Sequence, residues 1–308
     1  MLSRIAESLF WIGRYVERAE DTARILDVQM QLLIEDAALD EDSACHSLLN
    51  VMGVEHEGPA DRYVVLRELS YSPEAPGSIA AALAAARESA RRSRETVATE
   101  MWQALNTTFN HIQSGRYRKM PTASAFAWVR ERAAMINGIA EATMSRDQGW
   151  QFMILGRSLE RADMTARMVS AASLASGPTT AWSTTLRACG AHEAFLRTHR
   201  GLEADREAAE FLLLDRLFPR SIIHSLNRAE RCLQSLEPVG SRVGFFDEAQ
   251  RLVGRARAEL EYRRLADIVE HLPAEMERVQ RTCSAASDAV RARYFAGAVA
   301  LTWTGERL

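Results

Sequence analysis

The sequence predicts an all-α protein, built as a multi-helix bundle, and three observations support this fold class. Long segments place apolar side chains three and four residues apart, which is the spacing of a buried helix face. Glycine and proline are grouped in short stretches between these segments, where they end helices. No segment alternates apolar and polar residues for long enough to predict a strand. The chain of 308 residues is long enough to bury a large core.

The first predicted helix covers residues 4–36 and carries a continuous apolar seam. The seam consists of Leu9, Ile12, Val16, Ala19, Ala23, Leu26, Met30 and Leu33. Shorter helices are predicted over 43–53 and around 61–69, on either side of the Gly58-Pro59 break. One long helix is predicted over 78–111, because this segment lacks glycine and proline and begins with a serine that can cap a helix.

The rest of the chain repeats this pattern of helices between breaks. After a loop over 115–121, helices are predicted over 122–143 and 147–173, and Gly177-Pro178 is predicted to be the main linker. Further helices are predicted over 181–199, 205–216, 220–236, 245–271 and 273–299. The aromatic and aliphatic run over 211–221 is interpreted as core packing. We predict a single helical domain over 1–308, with a subdivision into 1–176 and 179–308 as the alternative.

Charge and cysteine content exclude several classes of function. The 38 Lys+Arg nearly balance the 41 Asp+Glu, which gives no general attraction to nucleic acid or to an anionic membrane. The four cysteines are far apart, so we expect reduced thiols and no zinc knuckle. The first residues lack the apolar run of a signal peptide or membrane span. We expect a cytoplasmic protein that binds neither nucleic acid nor membranes.

No recognisable cofactor, metal or catalytic motif occurs in the sequence. None of the seven histidines belongs to an H-E-x-x-H motif or follows a glutamate by three residues, as histidines do in di-iron bundles. A P-loop, a G-x-S-x-G elbow and a dinucleotide glycine fingerprint are missing. The sequence therefore predicts no metal and no cofactor, and it identifies no catalytic residue.

One segment occurs twice in the chain, and the two copies, residues 13–24 and 156–167, agree at eight of twelve positions. The shared glycine and charged residues lie on the side of each helix that faces away from the apolar seam. We call this set the Arg/Glu stripes: Gly13, Arg14, Glu17, Arg18 and Arg24 in the first copy, and Gly156, Arg157, Glu160, Arg161 and Arg167 in the second. The repeat predicts that helices 4–36 and 147–173 are related by a pseudo-two-fold duplication.

The identity of the stripes in both copies indicates that they contact something definite. On a merely solvated face, exchanges among such residues usually change stability by within about ±0.5 kcal/mol, so two old copies would have diverged. Glycine inside a helix costs roughly 1 kcal/mol relative to alanine. Gly13 and Gly156 therefore predict the close approach of another backbone or of a ligand.

Two compatible interpretations explain the charged residues of the stripes. In the first, the stripes face each other and hold the bundle in register, with Glu17 paired to Arg161 and Glu160 paired to Arg18. In the second, the arginines outnumber the carboxylates beside them and hold a carboxylate, a phosphate or an acidic partner surface. A weaker third echo of the motif occurs at residues 227–230, without the glycine and the first arginine.

Several segments of the chain carry a family resemblance: residues 10–20, 87–95 leading to 100–106, 155–165 and 211–221. Together they resemble the bacterial alpha-E family, which is named for an α-helical domain with a Glu-Arg motif, and the resemblance spans about residues 2–300 in the family's order. The copies of the family motif in this sequence are Glu17-Arg18 and Glu160-Arg161. Members of that family are encoded beside, and in some cases fused to, circularly permuted ATP-grasp proteins. Transglutaminase-like proteins and a proteasome-related peptidase are further neighbours.

The resemblance implies an accessory subunit of an ATP-grasp amide or peptide ligase. ATP-grasp proteins generally join a carboxylate to an amine with hydrolysis of ATP, so the Arg/Glu stripes would present an anionic substrate or partner. One alternative is a stand-alone enzyme that uses Glu17 or Glu160 as a general base beside arginines that hold an anion. The other alternative is a purely structural helical scaffold.

Overall fold

The computed structural model describes residues 1–36, 39–174, 180–199, 205–237 and 247–295. These residues form fourteen α-helices and no strand, so the prediction of an all-α multi-helix protein is confirmed. The two long helices predicted over 4–36 and 147–173 each differ from the observed ones by one residue at either end. The predicted linker at Gly177-Pro178 lies outside the described residues. None of the described helices is both long and apolar enough to span a membrane.

The helices are numbered in chain order. They are α1 Ser3–Glu35, α2 Glu41–Val51, α3 Arg62–Leu66, α4 Ile79–Arg92, α5 Thr99–Gln113, α6 Thr122–Thr143, α7 Gln148–Leu174, α8 Thr180–Ala188, α9 His192–Thr198, α10 Asp205–Leu214, α11 Ile222–Leu236, α12 Glu248–Tyr262, α13 Leu265–Glu270 and α14 Leu272–Tyr294. A π-helical turn over Arg67–Tyr71 extends α3, and a 3-10 turn covers Tyr117–Lys119.

Three predicted helices are interrupted in the structure. The prediction of one continuous helix over 78–111 is wrong, because α4 ends at Arg92 and α5 begins only at Thr99. The Ser93 hydroxyl donates to the Ser89 carbonyl, and the Thr96 hydroxyl donates to the Ser93 carbonyl, each beside a backbone amide that bonds to the same carbonyl, so side chains add to the hydrogen bonds at the end of α4. The segments predicted as 181–199 and 245–271 are likewise each divided into two helices, α8 with α9 and α12 with α13.

The described residues form two compact units. Unit 1 contains Met1–Arg14, which is the first part of α1, and the described residues from Arg146 onward. Unit 2 contains Tyr15–Ser145. In unit 2, α4 packs against α5, and α5 packs against α6, around a core that includes Leu83 and Phe126.

Helix α7 is the central element of unit 1 and packs against both α11 and α14. Its predicted apolar seam is buried, with no exposed surface at Leu155, Leu159 and Val169. Its polar side is buried as well, because α7 has neighbours around most of its circumference. Polar residues of α7 are therefore placed inside unit 1, where each must find a partner.

Two loops, one in each unit, have the same hydrogen bonds. The Ser78 hydroxyl donates to the Ser72 carbonyl over 2.5 Å and caps α4. The Ser221 hydroxyl donates to the Asp215 carbonyl over 2.5 Å and caps α11. The sequence offset from Ser78 to Ser221 equals the offset from Gly13 to Gly156. The pseudo-two-fold duplication remains a prediction. If it is correct, features outside the repeated segment should also recur at this offset, and the two serine-capped loops do so.

Candidate anion-binding site

The two stripe glycines lie where the first part of α1 crosses α7 in unit 1. A Cβ atom added at Gly13 would be 2.0 Å from the Met153 carbonyl oxygen, and one added at Gly156 would be 2.1 Å from the Phe10 carbonyl oxygen. The two contacts are reciprocal, since Phe10 and Met153 each precede a glycine by three residues. The expected approach of a second backbone is thus observed at both glycines, and only glycine permits it.

Arg14 and Glu160 form an ion pair in the interior of unit 1. Arg14 Nε donates to Glu160 Oε2 over 2.6 Å, and the side chains are 5% and 1% exposed. Arg14 also donates to the Ser287 hydroxyl over 3.1 Å, and that hydroxyl donates to the Cys283 carbonyl in α14. Glu160 is therefore held by Arg14, a pairing that the sequence interpretation, with Arg18 as the partner, did not include.

The last arginine of each stripe copy pairs with an acidic residue one turn earlier. Arg167 Nε donates to Asp163 Oδ2 over 2.8 Å in unit 1, and Arg24 Nη2 donates to Glu20 Oε1 over 2.9 Å in unit 2. Burial lowers the pKa of Arg167, but the carboxylates of Asp163 and Glu160 more than offset this, so its pKa lies above the ordinary value. Both arginines therefore act as charged partners within the helices that carry them.

Neither stripe glutamate is available to a dissolved substrate. Glu17 in unit 2 and Glu160 in unit 1 are both buried, with at most 1% of the Glu160 side chain exposed, and Arg18 is half-buried. Neither glutamate belongs to the wall of the cavity in unit 1. A general base must be within hydrogen-bond reach of the proton that it removes, so the burial of both carboxylates disfavours this role.

Arg157 and Arg161, by contrast, face a cavity of about 430 Å³ in unit 1. Its charged wall consists of Arg157, Arg161, Arg216, Arg228, Arg231, Arg257 and one carboxylate, Glu261. Ser158, Pro219, His224, Ser225 and Asn227 complete the wall. We call this space the arginine cavity.

Two helices supply four of the guanidinium groups of the arginine cavity. Arg157 and Arg161 are one turn apart on α7, and Arg228 and Arg231 are one turn apart on α11. Residues with these spacings lie on the same face of a helix. Because α7 and α11 pack closely against each other, both arginine pairs line one cavity.

The loop between α10 and α11 forms a fixed wall of the arginine cavity. Asp215 Oδ1 accepts hydrogen bonds from the backbone amides of Leu217 and Phe218 over 2.8 and 2.7 Å, which closes a tight turn. The Pro219 carbonyl accepts from Arg161 Nη1 over 3.3 Å, so the loop positions that guanidinium group. This loop belongs to the run that was interpreted as core packing, and that interpretation misses its role as a cavity wall.

Positive charge is in excess in the arginine cavity. Glu261 pairs with both Arg216 and Arg257, and the Nε of Arg257 also lies 2.8 Å from Glu230 Oε2. Within the described parts of the chain, neither Arg228 nor Arg231 has a carboxylate at ion-pair distance. Six guanidinium groups thus share a wall in which the described residues supply a single carboxylate, and the field inside favours an anion.

A second, more open cavity of about 330 Å³ lies in unit 2. Its wall contains one arginine, Arg116, together with His111, whose ring stacks on Trp128 with 4.5 Å between the centroids. Burial lowers the pKa of His111, and the nearby Arg116 and Arg132 lower it further. This cavity has no concentration of charge comparable to that of the arginine cavity. Among the described residues, no group of three or more His, Cys, Asp or Glu side chains could hold a metal ion.

The sequence identified two of the six cavity arginines. Arg157 and Arg161 belong to the stripes, whereas Arg216, Arg231 and Arg257 were missed and Arg228 occurred only in the weak third echo. The i,i+3 spacing of Arg228 and Arg231 is visible in the sequence, but it does not show which helix they face. The remaining stripe residues of unit 1, Gly13, Arg14, Gly156, Glu160 and Arg167, take part in the helix crossing and the interior pairs.

Comparison with known proteins places the chain in a family. The sequence model of the Alpha-E family, described as "a predicted alpha-helical domain with a conserved ER motif", matches residues 1–295. Similar sequences occur in uncharacterized proteins of Mycobacterium bovis and of two strains of Mycobacterium tuberculosis. Each is 26% identical over 262 residues, which is 76% of this chain and 30% of the relative. The chain thus spans less than a third of the length of these relatives, and no solved structure matches it.

Proposed function

The chain belongs to the Alpha-E family, and from this membership and the arginine cavity we propose that it is an anion-binding subunit of an ATP-grasp amide or peptide ligase system. The observation that carries the proposal is the set of six guanidinium groups around one cavity, with a single carboxylate among the described residues of its wall. In this role the chain holds the anionic group of a substrate, and a circularly permuted ATP-grasp protein performs the ligation. A transglutaminase-like protein is the second proposed partner.

The chemistry of arginine supports binding of a carboxylate or a phosphate. The guanidinium group is planar, always charged, and donates two parallel hydrogen bonds to a carboxylate or phosphate group. Hydrogen bonds to charged groups are worth about 1.5–3 kcal/mol each. Arg228 and Arg231 have no ion-pair partner in the described chain, so a bound anion would also relieve the repulsion between them.

A ligase system supplies ligands of this kind. The carboxylate that an ATP-grasp protein activates, and the phosphate that it releases, are both anions that an arginine-lined wall can hold. The proposal places the chain in the cytoplasm, where ATP is available. The matched segment makes up only 30% of the mycobacterial relatives, as expected for a module that acts beside other domains. The burial of Glu17 and Glu160 favours this binding role over catalysis by a glutamate base.

Anion binding is tested by calorimetric titration of the purified chain with inorganic phosphate and with citrate at low salt. The variant Arg228→Gln/Arg231→Gln removes two arginines for which the described chain supplies no carboxylate partner, and it should weaken binding at least tenfold. The matched control, Arg91→Gln/Arg92→Gln, removes two positive charges from α4, where both arginines bond to Glu88. Equal affinities for the wild-type chain and both variants would contradict the proposed site.

The ligase partnership is tested separately, by affinity purification of the tagged chain from its own host. We expect an ATP-grasp protein to co-purify, and its retention should not require Arg228 and Arg231, which face the cavity. Repeated purification without any ATP-grasp protein, from cells that express one, would refute the partnership and leave the anion site to be judged by the titration.

A further inference from the structure

We infer, on the premise of the proposed function, that the anion taken by the arginine cavity is an acidic peptide segment. Its carboxylates would lie against Arg157, Arg161, Arg228 and Arg231, and an apolar side chain beside them would contact the edge of the cavity. Four features of unit 1 support this choice: the size of the cavity, the spacing of its arginines, the composition of its wall and two exposed apolar residues that follow wall residues in sequence.

The arginine cavity is much larger than a single inorganic anion. Its volume of about 430 Å³ lies within the range of roughly 300–1,000 Å³ that is typical of sites for organic ligands. One water molecule, which is of the order of a small ion in size, occupies about 30 Å³ of liquid volume. A ligand that fills this space therefore has several groups, and the distribution of arginines around the wall indicates that more than one of them is anionic.

The arginine spacing fits carboxylates on alternate residues of an extended chain. Arg157 and Arg161 are separated by four residues and Arg228 and Arg231 by three, so their backbones are offset by roughly 6 and 4.5 Å along the helix axes. In an extended peptide, side chains on one face recur every two residues, about 6.6 Å apart. The offset of Arg157 and Arg161 is close to this repeat, whereas that of Arg228 and Arg231 is about 2 Å shorter, a difference within the reach of long arginine side chains.

The composition of the wall disfavours a nucleotide. Among the described residues that line it, the imidazole of His224 is the only aromatic ring, so a nucleobase would lack the stacking surface on which such sites generally rely. The backbone amides of Leu217 and Phe218 are already bonded to Asp215, and that of His224 is bonded to Ser221. These amides are unavailable as a phosphate cradle, and recognition falls to the planar guanidinium groups.

Two exposed apolar residues adjoin wall residues of the arginine cavity in sequence, although neither is part of the wall itself. Leu217 is 90% exposed and Tyr262 is 82% exposed, and each directly follows a residue of the cavity wall, Arg216 or Glu261. Arg216 and Glu261 form an ion pair, so the backbone positions that Leu217 and Tyr262 follow are close to each other at the wall. An apolar residue of a bound peptide can cover them, as in an interface where apolar contacts flank charged ones.

The overall charge of the chain allows specific binding of an acidic peptide to be distinguished from general electrostatic attraction. With a formal net charge of -3, the protein as a whole repels acidic peptides, so binding must come from the local arginine cluster. The probe is a fluorescein-labelled peptide, Glu-Ala-Glu-Ala-Glu-Leu, and its affinity is measured by fluorescence anisotropy at low salt. One matched peptide replaces each glutamate by glutamine, and a second replaces the leucine by serine.

We expect the glutamate peptide to bind at least tenfold more tightly than its glutamine counterpart. Arg228→Gln/Arg231→Gln should weaken its binding at least tenfold, whereas Arg91→Gln/Arg92→Gln should not. Leu217→Ser/Tyr262→Ser should weaken the leucine peptide several-fold and leave the serine peptide and inorganic phosphate unaffected. Because these substituted positions other than Arg228 and Arg92 are exposed, the variants are expected to fold, and circular dichroism verifies it.

The possible results separate this inference from the proposed function. If tripolyphosphate and inorganic phosphate bind at Arg228 and Arg231 but the glutamate peptide does not, the peptide inference is overturned and the anion site stands. If neither phosphates nor peptide bind, both are overturned. Peptide binding that the Arg228→Gln/Arg231→Gln variant retains in full would place the peptide elsewhere and overturn the inference.

Discussion

Alanine substitution at the two crossing glycines should destabilise the chain. In Gly13→Ala the new Cβ would be 2.0 Å from the Met153 carbonyl oxygen, whereas ordinary contact begins at 3.4 Å, so the two backbones must separate locally by the difference. Gly156→Ala, at 2.1 Å from the Phe10 carbonyl oxygen, requires nearly the same separation. Overpacking of this kind typically costs about 1–3 kcal/mol, while the helix propensity of alanine returns at most about 1 kcal/mol. We therefore expect each variant to lose about 1–2 kcal/mol of unfolding free energy.

Gly138 provides the matched control, because the same substitution should have the opposite sign there. It lies inside α6 with nothing within 4 Å of its added Cβ, so Gly138→Ala should stabilise the chain by about 0.4–1 kcal/mol. Urea unfolding followed by circular dichroism measures all three variants. The double variant Gly13→Ala/Gly156→Ala should lose less than the sum of the single losses, since one separation of the helices relieves both overlaps. A Gly13→Ala chain that is as stable as Gly138→Ala would refute the reasoning.

Three further predictions concern the polar contacts. Glu160→Gln removes the carboxylate that accepts from the buried Arg14 guanidinium and should cost about 3–5 kcal/mol in urea unfolding, much of which Arg14→Met in the same chain should restore. The hydrogen bonds from the Arg62 side chain and backbone lower the pKa of Glu41 from 4.5 to about 2. This contact therefore stabilises the fold fully above pH 4.5, and the stabilisation is lost as the pH falls toward 2. The melting temperature of Glu41→Gln should depend less on acid pH than that of the wild-type chain. Asp215→Ala removes the acceptor of two loop amides and should speed hydrogen exchange at those amides, while an unchanged exchange rate would contradict the role assigned to this turn.

The sequence was sufficient for the helical fold class, for the two long helices α1 and α7, and for the close backbone approach at Gly13 and Gly156. Periodicity located α1 and α7 to within one residue, because their apolar seams are long and regular. It did not detect the break after Arg92, since Ser93 and Thr96 end that helix with side-chain hydrogen bonds and without glycine or proline. The amino-acid composition of a segment does not show whether a serine or threonine side chain will bond to the carbonyls at a helix end.

The arginine cavity could be predicted only in part, for a physical reason. Its guanidinium groups come from α7, the loop after α10, α11 and α12, and their convergence depends on how these elements pack. The repeated segment identified Arg157 and Arg161 as unusual but did not distinguish them from Arg14, which bonds to Glu160 inside unit 1. An arginine in a buried ion pair and an arginine in a cavity wall can occur in the same sequence motif. Only the three-dimensional structure shows which of the two environments each guanidinium group has.

Structural features of the helices recur at a constant sequence offset, whereas most arginines of the cavity in unit 1 do not, and this difference bears on the role of these arginines. Scaffold features recur at one constant sequence offset, the offset that separates Gly13 from Gly156. The features that recur are the crossing glycines, the serine-capped loops and the pairs Glu20–Arg24 and Asp163–Arg167.

The cavity arginines outside α7 do not recur in this way. At the same offset, the positions in unit 2 that correspond to Arg216, Arg228 and Arg231 are Pro73, Ala85 and Glu88. The capped loop and helix α4 form in unit 2 without arginine at any of these positions. Arginines at these three positions are therefore not required to build this kind of loop and helix, and in unit 1 Arg228 and Arg231 repel each other, which a bound anion would compensate. Arg216 has an ion-pair partner in Glu261, so the proposed binding role is needed to account for Arg228 and Arg231, for which the described residues supply no carboxylate at ion-pair distance.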